Sequence, residues 1–541
     1  MRTPRKSKGY FAAASQRFFN EANQLVVMQV VWLKHDLRFA DHAPLHAALS
    51  SGEHALLLYV VEPERMEQPD ESMLHVSWDL ANARSLLEQV EALGGTMHIR
   101  IGKPEEILAT INDEASITHL HSHEESGLQW SWNRDKRVAA WCKSTGVAWD
   151  ECPWNGVVRR LKDRDRWNSI RNRRMVEPLL DAPTHLPPHP ILRCIDETKG
   201  MFSLFTDLVK TPLEAGEKAA HAWLSSFLST RFRDYLPTIS NPATSPEGSS
   251  RLSAYLSGGV LSVRQVKHAI KGVRQSPPEG VDVSVFRKNI DAFASRVSWR
   301  CHFIQRLEME TSMNTQSINP ELDEALAWVD EEARFEAWAE GQTGWPFFDA
   351  CMRSLKATGW INFRMRAMMQ SVAAYTLWLP WQRTGNHLAQ LFIDYEPGIH
   401  WSQIHMQSGI TGINSVRAYS IIKQSLDHDM NGDFIRRWVP ELAMVPSPAI
   451  HEPWTMSDEM QATTGVIIGQ TYPEPIVDEH EARTAGVKKV HAARRKDTVK
   501  ARSANVYALH GSRARRFQRK RKTPNPPVQA APNPQKSLLD F

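Results

Sequence analysis

The chain has 541 residues, too many for one ordinary domain, so two or three are expected. Apolar residues make up 42% and charged residues 23%; no run long enough to span a membrane occurs, and five Cys without C-x-x-C spacing argue against zinc or iron–sulfur sites and for a reducing, cytoplasmic setting. The formal charge of +4 hides an asymmetry: fourteen Lys/Arg and one acid between Lys488 and Lys522 leave the remainder at −9, a pattern of either a polyanion-binding arm or a solubilising end.

In chain order, residues 1–27 carry several basic residues and one acid, Glu21, without the apolar core of a secretory signal. They read as a transit-like peptide or, preferably, as an N-terminal extension, because Met28 stands directly before the first clear strand. From 28 to 155, apolar or β-branched runs at Val30–Lys34, Ala55–Val61, Met97–Ile101 and Ile117–His121 alternate with amphipathic stretches such as SWDLANARSLLEQVEALGG. This alternation predicts an α/β domain, a Rossmann-like parallel sheet with helices on both faces. No G-x-G-x-x-G follows the first strand, so the likeness is architectural and carries no dinucleotide fingerprint. Residues 156–216, rich in Pro and Arg, read as an interdomain connector. Residues 217–485 read as an all-α domain, and 486–541 as a basic, disordered tail ending in a Pro/Asn/Gln-rich stretch and the apolar QKSLLDF.

Three stretches of the helical region can carry chemistry. In GSSRLSAYLSGGVLS, hydroxyls and a guanidinium gather at an apparent helix start, which suits either a diphosphate cradle or plain N-capping. SRVSWRCHF and GWINFRMR set aromatics beside Arg at helical spacing, a surface that stacks flat rings or simply fills a core. FIDYEPGIHWSQIHMQSG places Asp394 and Glu396 two apart around a Pro-Gly break, fit for two contacts on one flat polar ligand or for a surface turn. The 19 Trp are more than packing ordinarily requires, though packing is still the commoner use.

Together these pieces resemble the photolyase/cryptochrome family, in its bacterial branch. VVWLKHDLRFADHAPLHAAL is similar to that family's opening strand and loop, and SSRLSAYLSGGVLS, TGWPFFDACMRSLKATGW and GDFIRRWVPEL to its flavin-domain signatures, in the same order from about Met28 to Val477. The resemblance implies FAD held in the helical domain. Tyr235, Ser249, Ser250, Arg251, Leu252 and Ser253 would meet the diphosphate and nearby groups. Arg300, Arg366, Asp394, Tyr395, Glu396 and His400 would surround the rest of the cofactor. It further implies light-driven electron transfer from reduced FAD to a flipped-out pyrimidine dimer, with DNA as partner, a monomer, and Trp299 as stacking wall.

Departures fall on the lesion side. Arg296 stands where repair enzymes of the family carry Glu, Phe363 where they carry Asn (with Asn362 one residue earlier), and His400 where Asn faces flavin N5. A cryptochrome-like photoreceptor without dimer repair is therefore the second reading, and a nucleotide-binding protein without photochemistry a third. Trp328 and Trp381 match the outer two of three relay tryptophans. The innermost position is Ile404, with Trp401 or Trp360 as substitutes. A second antenna chromophore, folate or deazaflavin, would sit beside Glu124 and Glu125, unless that pocket is empty. Gln535, Leu538 and Phe541 have the spacing of a sliding-clamp peptide.

Overall fold

A computed structural model describes residues 27–190, 192–199 and 213–511. The N-terminal extension, the chain end and the clamp-like Gln535, Leu538 and Phe541 lie outside the described residues. Six strands, β1 (Val27–Leu33), β2 (His54–Val61), β3 (Thr96–Ile101), β4 (Ser116–His123), β5 (Ala148–Cys152) and β6 (Ile195–Asp196), form one sheet in the order β5-β4-β1-β2-β3-β6. Every neighbouring pair is parallel.

Alternation along β1 explains how the sheet is buried on both faces. Met28, Val30 and Trp32 join Leu56 and Leu58 of β2 in one core, which α3 (Pro104–Glu114) and α4 (Gln129–Thr145) cover through Leu108, Ile111 and Val138. Val31 and Leu33 face the other way with Leu57 and Tyr59. There α1 (Ala43–Ser50) and α2 (Met73–Ala92) pack, and the same core runs on into Phe227, Phe286 and Phe293 of the helical region. The two parts of the chain thus share a core.

Two strands escape the sequence reading. β5, AWDEC, is a half-exposed edge with little apolar signal, and β6 is two residues contributed by the stretch taken as a connector. That stretch also holds a helix, Trp167–Val176. The largest correction concerns the tail. The helices Glu479–Arg494 and Asp497–His510 continue the fold past residue 486, with Val490, Val499 and Val506 buried in the helical core. Basic side chains cover their outer faces, which is why composition alone suggested disorder.

The helix Glu217–Ser229 opens on Glu217, whose carboxylate accepts the backbone N–H groups of Phe39 and Ala40 in the α/β part at 2.9 and 3.2 Å. The helical region follows. Its frame for the site is α5 (Val283–Met309), α6 (Phe363–Ser371), α7 (Trp381–Leu391) and α8 (Pro397–Gln407). Asp282 caps α5 by accepting from Ser284 and Val285 N–H, and Pro397 opens α8 at a position where a missing N–H costs nothing. α5 and α8 meet closely at Gly398, where a Cβ would lie 2.6 Å from Ile304 Cα.

Candidate active site

Helical periodicity builds one cavity of about 360 Å³ between these helices, within the range of ligand pockets. Arg296, Trp299, Arg300 and Phe303 form one stripe of α5 at i, i+3, i+4 and i+7, and all four line it. Ile399, His400, Gln403, Ile404 and Gln407 form the facing stripe of α8. The turn Ser249–Ser253 and the residues Asp394, Tyr395 and Glu396, just before α8, also line it, and Ser253 hydrogen-bonds the Asp394 carboxylate. Tyr235, Arg366 and Phe363 complete the group of residues singled out in the sequence for this pocket. The aromatic and serine stretches are therefore pocket wall as well as core.

In the serine turn, Arg251 has φ 54°, a conformation disfavoured for a side chain of its size, and its guanidinium lies 4.1 Å from the Trp360 ring centre. Ser249 Oγ, Arg251 Nε and Arg300 Nε are buried without a hydrogen-bond partner. Buried polar groups are seldom left so, and these converge on the cavity, as a diphosphate and its sugar would require. Of the two acids, Asp394 is held bidentately by Arg366 at 2.9 and 2.9 Å, and Glu396 Oε2 accepts from Arg300 at 2.6 Å. Burial alone would raise the Asp394 carboxyl, but the Arg366 guanidinium outweighs it and holds the pKa below the ordinary value. The unpartnered Asn362 Oδ1 and Gln370 Oε1 also face this cavity. The donor set fits FAD.

His400 is a neutral imidazole here. Burial drives its pKa down to about 3, and its Nε2–H donates to Gly385 O at 2.9 Å, leaving Nδ1 as an acceptor. A proton donor at this position does not fit these partners. Arg296 donates to Ala292 O and lies 5.6 Å from the Trp299 ring, so cation and indole share one rim with the exposed Phe363.

Behind the cavity wall runs an aromatic file. Tyr395, on the wall, accepts the Trp401 indole N–H at 3.0 Å; Trp401 meets Trp381 edge-on with ring centres 5.9 Å apart. Trp381 and Trp328 both donate to Asp323, at 2.9 and 2.8 Å. Trp401, Trp381 and Trp328 therefore lie in sequence, while Trp360 sits apart under Arg251. Gly385 leaves room for this arrangement, since a Cβ there would meet the Trp401 ring at 2.5 Å. Asp70 and Asp323, which hold these indoles, carried no signal in the sequence. The glutamines of α8 did carry one, their i+4 spacing on the face of His400.

The space beyond the C-terminal ends of β1 and β2, on the side of a parallel sheet where ligands usually bind, is filled by charge. Glu125 accepts from Arg134 at 2.6 Å, Arg134 also binds Glu62 at 2.8 Å, and the space left is about 20 Å³, room for one water. Glu124 lies half-buried nearby, its carboxyl raised by burial.

Comparison with known proteins agrees with this geometry. Residues 29–161 match the DNA photolyase family model, and residues 293–492 match the FAD binding domain of DNA photolyase. The deoxyribodipyrimidine photo-lyase of Escherichia coli is 30% identical over 497 residues, 86% of this chain and 99% of that protein. Cryptochrome DASH of Synechocystis sp. is 26% identical over 479 residues, 84% of this chain and 96% of the relative. A bacterial class III photolyase from Agrobacterium tumefaciens shares the fold with TM-score 0.75 at 24% identity, covering 88% of this chain and 100% of that one. With both family domains in order, a flavin-shaped donor set between its helices and a full-length relative at 30% identity, this chain belongs to the photolyase/cryptochrome family.

Proposed function

We propose that the chain is a deoxyribodipyrimidine photo-lyase in the broad sense, repairing pyrimidine dimers in DNA under blue or near-ultraviolet light by electron transfer from reduced FAD. One observation carries the reading: the cavity that fits FAD also opens on a rim of Trp299, Phe363 and Arg296, which pairs stacking faces with a cation. Bound FAD would supply the light-excited electron. Ser249, Ser250, Arg251, Leu252 and Ser253 would hold its diphosphate end, with Tyr235 beside them. The Arg366–Asp394 and Arg300–Glu396 pairs would fix the flavin end, and the Arg366 guanidinium favours negative charge accumulating there. Trp299 would stack an extruded base, and Arg296 would meet phosphate or a polar base edge.

The second reading, a cryptochrome-like photoreceptor without repair, draws support from Arg296, Phe363 and the neutral His400 at the lesion side. The file Trp401–Trp381–Trp328 serves either reading as a route for re-reducing the flavin. To separate them, the purified protein is reduced under blue light and given DNA bearing cyclobutane or (6-4) lesions, single- and double-stranded. Lesion loss in light and not in darkness is the expected result. Photoreducible FAD without lesion loss on any substrate assigns the photoreceptor function instead.

A further inference from the structure

Asp70 lies in the loop ahead of α2, more than three hundred residues from Tyr395 and Trp401, yet its side chain ends behind the cavity wall with no solvent exposure. Its Oδ2 accepts the Tyr395 hydroxyl in a short hydrogen bond and the Trp401 Nε1–H at 3.2 Å. Its Oδ1 has no partner, and no cation pairs with it among the described residues. A buried carboxylate ordinarily meets a guanidinium, an ammonium or several amide N–H groups. The side chains that hold this one are instead a phenol and an indole, the two ring types proteins oxidise.

We propose that Asp70 is the proton acceptor for oxidation of the Tyr395–Trp401 pair. The inference rests on the reading of Trp401 as the first relay and deepens it. The oxidant is the photo-excited, oxidised flavin, which gains one electron. If Tyr395 loses it, the phenol O–H bond breaks; if Trp401 loses it, the indole N–H bond breaks. In both cases a new O–H bond forms on Asp70, and the proton returns when an electron from Trp381 refills the pair. Charge is the physical reason. A radical cation at this depth has little solvent to stabilise it, and an ionised Asp70 has no partner charge. One proton crossing a single hydrogen bond, such as the 3.2 Å contact from Trp401 Nε1, makes both groups neutral. Burial also raises the Asp70 carboxyl above its ordinary value, the Tyr395 and Trp401 bonds opposing, and so makes it a stronger base than a surface aspartate.

A purely structural role, a clasp between the α/β part and α8, would leave the radical's protonation state alone, and this separates the two. Full-length protein loaded with oxidised FAD is flashed with blue light, and the absorption of the transient radical is followed in ordinary and heavy water. The unaltered chain is expected to form a neutral radical, more slowly in heavy water. Asp70→Asn is expected to lose the neutral-radical band and to form a protonated radical cation in its place, and Asp70→Glu to restore it. A neutral radical in Asp70→Asn with an unchanged isotope ratio overturns the proposal. Should Asp70→Asn not retain flavin, the unaltered chain decides: equal rates in the two waters overturn it. Photoreduction undiminished in Trp401→Phe and Tyr395→Phe instead overturns the relay reading beneath it.

Discussion

On the proposed function, Arg296 and Phe363 are the single side chains that would set substrate choice. A cation on the rim, 5.6 Å from Trp299, repels the protonated edges that a carboxylate would accept and attracts phosphate. Arg296→Glu combined with Phe363→Asn is accordingly expected to tighten binding of a cyclobutane dimer by about tenfold or more, the worth of a buried hydrogen bond to a charged group, read by titrating a dimer-containing oligonucleotide. His400 makes a second prediction. With its pKa pushed to about 3 by burial, it stays neutral through the physiological range. The spectrum of bound oxidised flavin should therefore be constant between about pH 5 and pH 8, and a transition there that His400→Asn abolishes would contradict the assignment. These positions were legible because they sit inside long motifs. Asp70 was not: a lone acid in a loop has no spacing that ties it to Tyr395, and only the folded chain brings them together.

Helix contacts set the cavity's shape. Gly398→Ala would drive a methyl against the Ile304 backbone, which cannot yield as a side-chain end can. A loss of about 1–3 kcal/mol is expected, read as a lowered denaturation midpoint, with flavin retention reduced alongside. Gly385→Ala would press on Trp401 and should slow flavin photoreduction more than it lowers stability. At this scale the strands β1 to β4 were readable from their apolar runs, and α5 and α8 from aromatic–Arg and Pro-Gly signals. β5 was hidden by exposure and β6 by its two-residue length. The final helix was hidden by its charge, although Val499 and Val506 stand seven apart on one buried face.

Across the whole molecule, pH tests the packing between the α/β part and the helices. Glu71 would be raised by burial, but Arg65 and His75 bring its pKa down to about 2 from 4.5. A depressed carboxyl stabilises the fold above its unfolded value, and that contribution, on the order of 3 kcal/mol, is lost as pH falls from about 4.5 towards 2. Glu308 of α5 is raised by burial to about 7. It binds its proton more tightly folded than unfolded, so its contribution grows as pH falls from about 7 to 4.5. Buried neutral histidines act oppositely: His400, His405 and His123, each pushed down to about 3 by burial, lose stability as pH falls below about 6.5. Stability measured by denaturant should therefore fall on acidification, and Glu308→Gln, which removes the opposing contribution, should steepen the fall between about pH 7 and 5. The shared core and the charged sheet crevice were beyond sequence, since both depend on which faces meet. The central claim is that one cavity between α5 and α8 holds FAD through the Arg366–Asp394 pair. The flavin absorbance of purified protein tests it most directly. Equimolar FAD is predicted in the unaltered chain, and its loss in Arg366→Ala, which leaves a buried carboxylate unpaired at a cost of about 3–5 kcal/mol. A chain purified without flavin that takes up none, or an Arg366→Ala protein that keeps its full complement, would contradict the account.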